Sequence, residues 1–231
     1  MMKRNGLRAL GLATCVVVLI SAIGFAVELY DVVANESVPE ISKAAGINLV
    51  SDYLATHTAE ELADLAINGA TPGIRLAADR ALFEANGGLV PYVALDQDTL
   101  YAMAAAGDQD AADAWVFNAR ASYKRPELAE AAIADSKVVT IEVSLGRLLG
   151  GLYGPGSPLG MKAKEELLRL VVNGESLGLR VAAATALTTY WISESAFTIP
   201  QVERAIRANS GINPELALAH QDVLAYLYGL E

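Results

Sequence analysis

Residues 58–85, TAEELADLAINGATPGIRLAADRALFEA, predict two helices joined by a tight turn. In the turn, Asn68 and Gly69 tolerate the positive φ that can end a first helix, and Pro72 suits the first position of a second. The second helix carries an apolar stripe with small residues in its middle, formed by Ile74, Ala77, Ala78, Ala81 and Leu82. One hairpin cannot enclose a core, so this pattern predicts similar hairpins stacked on both sides.

Copies of this hairpin occur in both directions along the chain. Residues 165–187, EELLRLVVNGESLGLRVAAATAL, repeat it at a constant offset without a gap, and residues 28–49 keep the stripe of the second helix. Looser copies cover residues 99–123, 126–149 and 199–227. We therefore expect six hairpins, with insertions taken up by loops such as Gly150 to Gly160.

The second helices resemble those of the HEAT-repeat family, including the HEAT-like repeats of phycobilisome lyases. The resemblance lies in Pro72-Gly73-Ile74-Arg75-Leu76-Ala77-Ala78-Asp79-Arg80-Ala81-Leu82 and in residues 179–187. It implies an all-α fold, an α-solenoid of about six stacked helical hairpins whose usual role is to present a long surface to another macromolecule. It implies no chemistry, because the signature residues are packing residues.

The N-terminus has the layout of an export signal. Lys3, Arg4 and Arg8 precede an uncharged run, and Gly24 and Ala26 are the small residues expected before a cleavage site. We predict a signal peptide over residues 1–26 and a HEAT-like domain over residues 27–231, exported to the periplasm or cell envelope or secreted. The alternative is an uncleaved anchor, since the run is almost long enough to span a bilayer.

Composition limits the partners and the chemistry. Cys15 is the single cysteine, so a processed chain has neither disulfides nor cysteine-based metal sites. Removal of the three basic residues of the signal would make the formal net charge of −10 more negative by three. Such a charge disfavours nucleic acid and anionic lipid. The protein or peptide partner that we expect is implied by the resemblance to HEAT repeats.

Arg75 and Arg180 occupy the same position in their repeats and are candidate partner-binding residues. As a pair they could hold an acidic partner. The alternative is that they bond to carboxylates or helix ends of the adjacent repeat.

Tyr153 and His220 are two further candidates for contact with a partner. Tyr153 lies in the glycine-rich segment of residues 150–158, which we expect to be a flexible loop that can carry a contact. His220 replaces a small Ala in the last repeat, where we expect it to face water because no further repeat follows. His57, the other histidine, is expected in a loop before Thr58.

The acidic clusters are interpreted as helix starts. Thr58 and Glu61 form a capping-box pattern, and the acids around Asp96 and Asp108 precede predicted helices. A calcium loop would need Gly and a terminal Glu at spacings that are missing here. With no nucleophile elbow or phosphate-binding glycine motif, the sequence predicts no catalytic residue, metal site or cofactor.

Three functions remain open from the sequence. The first is an exported scaffold that holds a protein or peptide at the cell envelope without catalysis. The second is a lyase-type enzyme or chaperone acting on a cofactor-bearing partner, as some HEAT-like relatives do. The third is self-association through the apolar C-terminal residues Tyr226, Leu227, Tyr228 and Leu230.

Overall fold

The computed structural model of the protein describes residues 28–230, and every regular element in that range is helical. The predicted signal peptide therefore lies outside the described residues. The helices are α1 (residues 28–35), α2 (Pro39–Asn48), α3 (Val50–Thr56), α4 (Ala59–Asn68), α5 (Pro72–Ala85), α6 (Val90–Val93), α7 (Gln97–Ala105), α8 (Gln109–Ala119), a 3₁₀ turn (Arg120–Tyr123), α9 (Pro126–Asp135), α10 (Val139–Tyr153), α11 (Lys164–Asn173), α12 (Leu177–Ser193), α13 (Ile199–Asn209) and α14 (Pro214–Tyr228).

The helix starts follow from capping chemistry. The Thr58 hydroxyl accepts from the Glu61 N–H while the Glu61 carboxylate accepts from the Thr58 N–H, which confirms the predicted capping box. Asp96 and Asp108 accept from N–H groups in the first turns of α7 and α8. Their carboxylates therefore act as N-caps, as the sequence predicted.

Each of the six predicted hairpins contains a pair of helices, but one predicted loop is shorter than expected. The helix α10 continues through Gly150 and ends at Tyr153, where the sequence analysis placed a loop from Gly150 onward. The absence of a side chain at Gly150 lets α12 pack close to α10: a Cβ atom there would lie 2.5 Å from the Cβ of Thr185. This prediction was wrong because glycine marked a close helix contact instead of a loop.

The role predicted for Gly69 also differs from the one found. Its φ is −55°, and the equivalent Gly174 has a φ of −59°, so neither glycine adopts a left-handed conformation. A Cβ atom on Gly69 would lie 2.5 Å from the Leu65 carbonyl oxygen, and one on Gly174 would lie 2.6 Å from that of Leu170. Close packing inside the turn, not positive φ, explains the glycine.

The chain divides into two compact units. Among the described residues, the first comprises residues 28–82 and 227–230, and the second comprises residues 83–226. In the first unit, the Ser42 hydroxyl of α2 accepts from the Gly73 N–H of α5 at 3.0 Å. Gly46 lies against the carbonyl of Gly73, so α2 and α5 approach each other closely enough to exclude a side chain.

In the second unit, α10 packs against α8 on one side and α12 on the other. Its junction with α12 repeats the arrangement of the first unit. Glu142 accepts from the Gly178 N–H at 2.7 Å, and Gly146 lies against the Gly178 carbonyl. The buried core of this unit is mainly aliphatic and includes Leu145, Leu149, Leu167, Ala182, Ala183 and Leu187.

A polar cluster joins α8 to α10 within this second unit. The buried Ser144 hydroxyl donates to Asp113 and accepts from the Gln109 amide at 2.7 Å. Arg147 adds an ion pair with Asp113 at 3.0 Å. Since each polar group finds a partner on the opposite helix, the cluster fixes the alignment of α8 and α10.

Candidate functional site: a basic groove on the first unit

The first candidate, Arg75, closes the turn of its own hairpin. It lies on the first turn of α5, and its Nη1 donates to the Gly69 carbonyl oxygen at 2.6 Å. That carbonyl follows the end of α4, where the helix leaves acceptors without intrahelical partners. Part of the guanidinium therefore has a structural role in holding the turn.

Arg180 repeats this contact in the second unit and adds an ion pair. Its Nη1 donates to the Gly174 carbonyl oxygen at 3.2 Å, and its Nε donates to the carboxylate of Glu215 at 3.0 Å. Glu215 lies in the first turn of α14 and is 7% exposed. Both arginines thus bond to a helix end of their own hairpin, and Arg180 also bonds to a carboxylate of the next hairpin.

A groove in the first unit brings Arg75 together with Lys43. It has a volume of about 410 Å³ and lies between α2, α4 and α5. Its lining residues are Pro39, Lys43, Ala66, Pro72, Arg75, Leu76 and Asp79. The groove thus combines apolar walls with two cations and one exposed carboxylate, the mixture typical of binding sites.

The two cations of the groove have no acidic partner among the described residues of the first unit. No carboxylate oxygen of residues 28–82 or 227–230 lies within 4.0 Å of a side-chain nitrogen of Lys43 or Arg75. Other cations of this acidic protein do have such partners, as Lys162 has in Glu166 and Lys164 in Glu194. The groove therefore carries a small excess of positive charge, two cations against the single carboxylate of Asp79.

The sequence pattern predicts a contact role for Arg75 but gives no such prediction for Lys43. In the copy formed by residues 28–49, Pro39 aligns with Pro72, so Lys43 aligns with Leu76, one position after the arginine. The available signal was a basic residue on the neighbouring second helix, one position after the place of the arginine. Whether such a residue lies near Arg75 depends on how closely α2 approaches α5, and the sequence does not give that distance.

Tyr153 does not lie in a loop, contrary to our expectation. It is the last residue of α10 and is 2% exposed. Its hydroxyl donates to the Glu130 carboxylate, and the Lys162 ammonium lies 4.7 Å from the ring centre. Burial and the Glu130 carboxylate raise the pKa of Tyr153 well above its ordinary value. The side chain holds α9 and α10 together and is inaccessible to a partner.

His220 does not face water, contrary to our expectation. It is 6% exposed and stacks on Trp191, with the ring centres 4.5 Å apart. Phe197, from the segment between α12 and α13, lies 5.8 Å away and helps to cover it. Burial lowers the pKa of His220, which favours the neutral ring. The ring of His220 is thus packed between Trp191 of α12 and Phe197 of the segment that follows α12.

The remaining polar and apolar candidates are distributed as follows. His57 follows α3 and stacks on Tyr53, with the ring centres 4.9 Å apart. Of the apolar C-terminal residues, Tyr226 and Leu230 are exposed, whereas Tyr228 is buried. Within the described part of the chain, no group of three His, Cys, Asp or Glu side chains could hold a metal ion.

A comparison of the chain with protein-family models, with curated proteins and with solved structures finds no match. Among the helices of residues 28–230, none combines the length and the apolar character needed to cross a membrane.

Proposed function

We propose that this protein is an exported, HEAT-like α-solenoid scaffold that binds a protein or peptide partner at the cell envelope and catalyses no reaction itself. The observation that carries the proposal is the groove of the first unit. Its apolar walls and its two cations, Lys43 and Arg75, suit side chains of a partner. Its volume of about 410 Å³ is sufficient for several of them.

The repeat part of the proposal is supported by two sets of matching contacts. Gly69 with Arg75 and Gly174 with Arg180 form the same turn in two hairpins. The contacts of Gly73 with α2 and of Gly178 with α10 likewise share one geometry. Equal contacts at equal repeat positions are what serial stacking of one hairpin type requires.

Site-specific photo-cross-linking tests the binding role. A photoreactive phenylalanine replaces Leu76, which lines the groove, and in a control replaces Arg80, which is exposed on the same helix. We expect a discrete protein adduct from native envelope fractions at position 76 and none at position 80. The absence of an adduct at position 76, or release of a small-molecule product without any partner, would overturn the proposal.

Two further measurements separate the remaining parts of the proposal. N-terminal sequencing of protein recovered from the envelope should find Val27 as the first residue, and its recovery only from the cytoplasm would contradict export.

Light scattering at micromolar concentration should find a monomer. A concentration-dependent dimer that is lost on Leu230→Ser substitution would instead support self-association, since Leu230 is exposed.

A further inference from the structure

We infer that the exposed connection between α8 and α9 binds the anionic surface of a lipid bilayer. The surface concerned, called the basic patch below, is formed by Arg120, Lys124 and Arg125 together with the exposed apolar side chains Phe117 and Leu128. It belongs to the second unit, so the inference does not depend on the groove of the first.

The first step is the charge of this connection. From Ala114 to Ala129 the chain carries three basic residues and a single acidic one, Glu127, whereas the whole protein has 27 acidic against 17 basic residues. The 3₁₀ turn that follows α8 rises about 2 Å per residue, so Arg120 and Lys124 are separated by about 8 Å along its axis. This separation is shorter than the Debye length of about 10 Å in 0.1 M salt. The cations of the basic patch therefore act together on an approaching anionic surface.

The second step is that these cations are poorly neutralised by neighbouring carboxylates. Among residues 83–226, no carboxylate oxygen lies within 4.0 Å of the Lys124 ammonium. Arg125 has one such neighbour in Glu127, at 3.7 Å, but the two side chains are 65% and 71% exposed. Ion pairs at that exposure contribute little. The basic patch thus keeps positive charge that an anionic ligand can use.

The third step concerns the apolar part of the basic patch. Phe117 is 45% exposed and Leu128 is 43% exposed, and they flank the three cations in the sequence. The guanidinium carbon of Arg120 lies 3.6 Å from the centre of the Phe117 ring, and Nη1 donates to the Phe117 carbonyl oxygen at 2.7 Å. A cation is therefore held directly beside an exposed aromatic ring. Phe and Leu side chains next to Lys and Arg are typical of protein surfaces that lie at the interface of a bilayer.

The shape of the surface favours a bilayer over a peptide. The depression beside Arg125 has a volume of about 140 Å³ and is lined by Arg125, Pro126, Glu127 and Leu159. This is below the volume of about 300 Å³ at which ligand pockets usually begin. Leu159 is itself 61% exposed, so it projects from the surface. Projecting cations and apolar side chains can meet an array of anionic headgroups without a cleft, and their charge is complementary to it.

The acidic remainder of the protein orients this contact. The formal net charge of −10 repels an anionic bilayer, but salt limits the repulsion to charges within about a Debye length of the surface. With the basic patch toward the bilayer, three cations are closest to the headgroups. Because this attraction is local, we expect binding that is reversible and that is lost at high salt.

Vesicle flotation tests the inference. The protein, purified in its exported form, is floated with vesicles of pure phosphatidylcholine and with vesicles in which a quarter of this lipid is replaced by phosphatidylglycerol. We expect binding to the anionic vesicles to be at least tenfold tighter, since each of the three cations contributes about fivefold. This binding should be lost in about 1 M salt, where the Debye length is about 3 Å.

Two variants that each remove one positive charge form a matched pair. Lys124→Gln should weaken binding to the anionic vesicles about fivefold. Lys137→Gln removes an exposed charge beyond the far end of α9, about 15 Å away for a helix of ten residues, and should leave binding unchanged. Neither lysine side chain makes a hydrogen bond or an ion pair with residues 83–226, so neither variant should unfold the protein.

A fluorescent probe reports which surface meets the bilayer. Cys15 is the single native cysteine, so Ser122→Cys in a Cys15→Ser background gives one labelling position within the exposed turn. In the control, Ala134→Cys gives one exposed position near the far end of α9. We expect the emission of a polarity-sensitive dye to shift to shorter wavelength at position 122 when anionic vesicles are added, and to stay unchanged at position 134.

Several results would overturn the inference. Equal binding to the two kinds of vesicle, or binding to neither, would show that lipid charge is not recognised. Equal effects of Lys124→Gln and Lys137→Gln, or a dye response at position 134 alone, would place the contact elsewhere. Tighter binding of a polyglutamate peptide than of the vesicles would assign the basic patch to an acidic protein segment. None of these results changes the cross-link at position 76, which tests the proposed function separately.

Discussion

Gly146 and Gly178 meet where α10 crosses α12, and a Cβ atom on Gly146 would lie 2.5 Å from the Gly178 carbonyl oxygen. The obstructing atom belongs to a helix backbone, which cannot rotate away as a side chain can. We therefore expect Gly146→Ala to destabilise the protein by about 1–3 kcal/mol. Urea unfolding measures this change.

Gly151 is the matched control for that prediction. It lies in the same helix, and no atom is within 4 Å of the position its Cβ would take. Gly151→Ala should stabilise by up to about 1 kcal/mol, because Ala favours the helix. Equal effects of the two substitutions would show that the α10–α12 crossing is not close.

Ser195 has a φ of 48° and is the one non-glycine residue with positive φ among those described. It follows the end of α12, where Ala196 donates to the Trp191 carbonyl in the pattern that usually ends with glycine. We expect Ser195→Gly to stabilise by about 0.5–1 kcal/mol. The control Ser193→Gly, at the last residue of α12, should destabilise by a similar amount, as thermal unfolding would show.

The buried His220 predicts a dependence of stability on pH. Its pKa in the folded protein is below the ordinary value of 6.5, so the unfolded chain binds a proton more readily. This stability is fully present above pH 6.5 and is lost as the pH falls toward the lowered pKa. When the pH falls from 7.5 to 5.5, we expect the free energy of unfolding to decrease less for His220→Phe than for the parent protein. The difference between the two decreases should be at most about 1.4 kcal/mol per pH unit.

Denaturant unfolding at several pH values checks this prediction for His220. The control is His57→Gln, which leaves the stack of His220 on Trp191 in place. Parallel pH profiles for the parent protein and His220→Phe would contradict the prediction.

The buried Tyr153 predicts a dependence of stability on pH in the alkaline range. Burial and Glu130 raise its pKa above the ordinary value of 10.0, so the unfolded chain loses this proton first and stability falls as the pH rises past about 10. Tyr153→Phe should reduce that alkaline loss and cost about 1 kcal/mol at neutral pH, through the missing hydrogen bond. Tyr101→Phe, at an exposed ring, should change neither quantity when both are measured by chemical unfolding.

The helices were predictable because their ends are encoded locally. Thr58, Asp96 and Asp108 cap helices through contacts within four residues. Pro72 suits the first position of a helix, because the N–H that proline lacks has no intrahelical partner there. Such signals need no knowledge of tertiary structure. The all-helical fold therefore followed from short-range patterns.

The side-chain environments were not predictable in the same way. Burial of His220 depends on Phe197, a residue of a connecting segment whose path no periodicity describes. The groove is lined by Lys43 of α2 and Arg75 of α5 together. The two helices can approach because Gly46 packs directly against Gly73. Both cases involve long-range contacts, and a single sequence carries no signal for their pairing.

The turn between α4 and α5 is closed by residues of its own hairpin, Gly69 and Arg75, and the turn between α11 and α12 by Gly174 and Arg180. The junctions α2–α5 and α10–α12 share their geometry but differ in the side chain that accepts from the glycine N–H, which is Ser42 in one and Glu142 in the other. Chimeric proteins should consequently tolerate exchange of whole turns more readily than exchange of a second helix alone. When this chain is engineered by recombination, the junctions should be placed between hairpins. The residue that caps the following helix should then be transferred together with that helix.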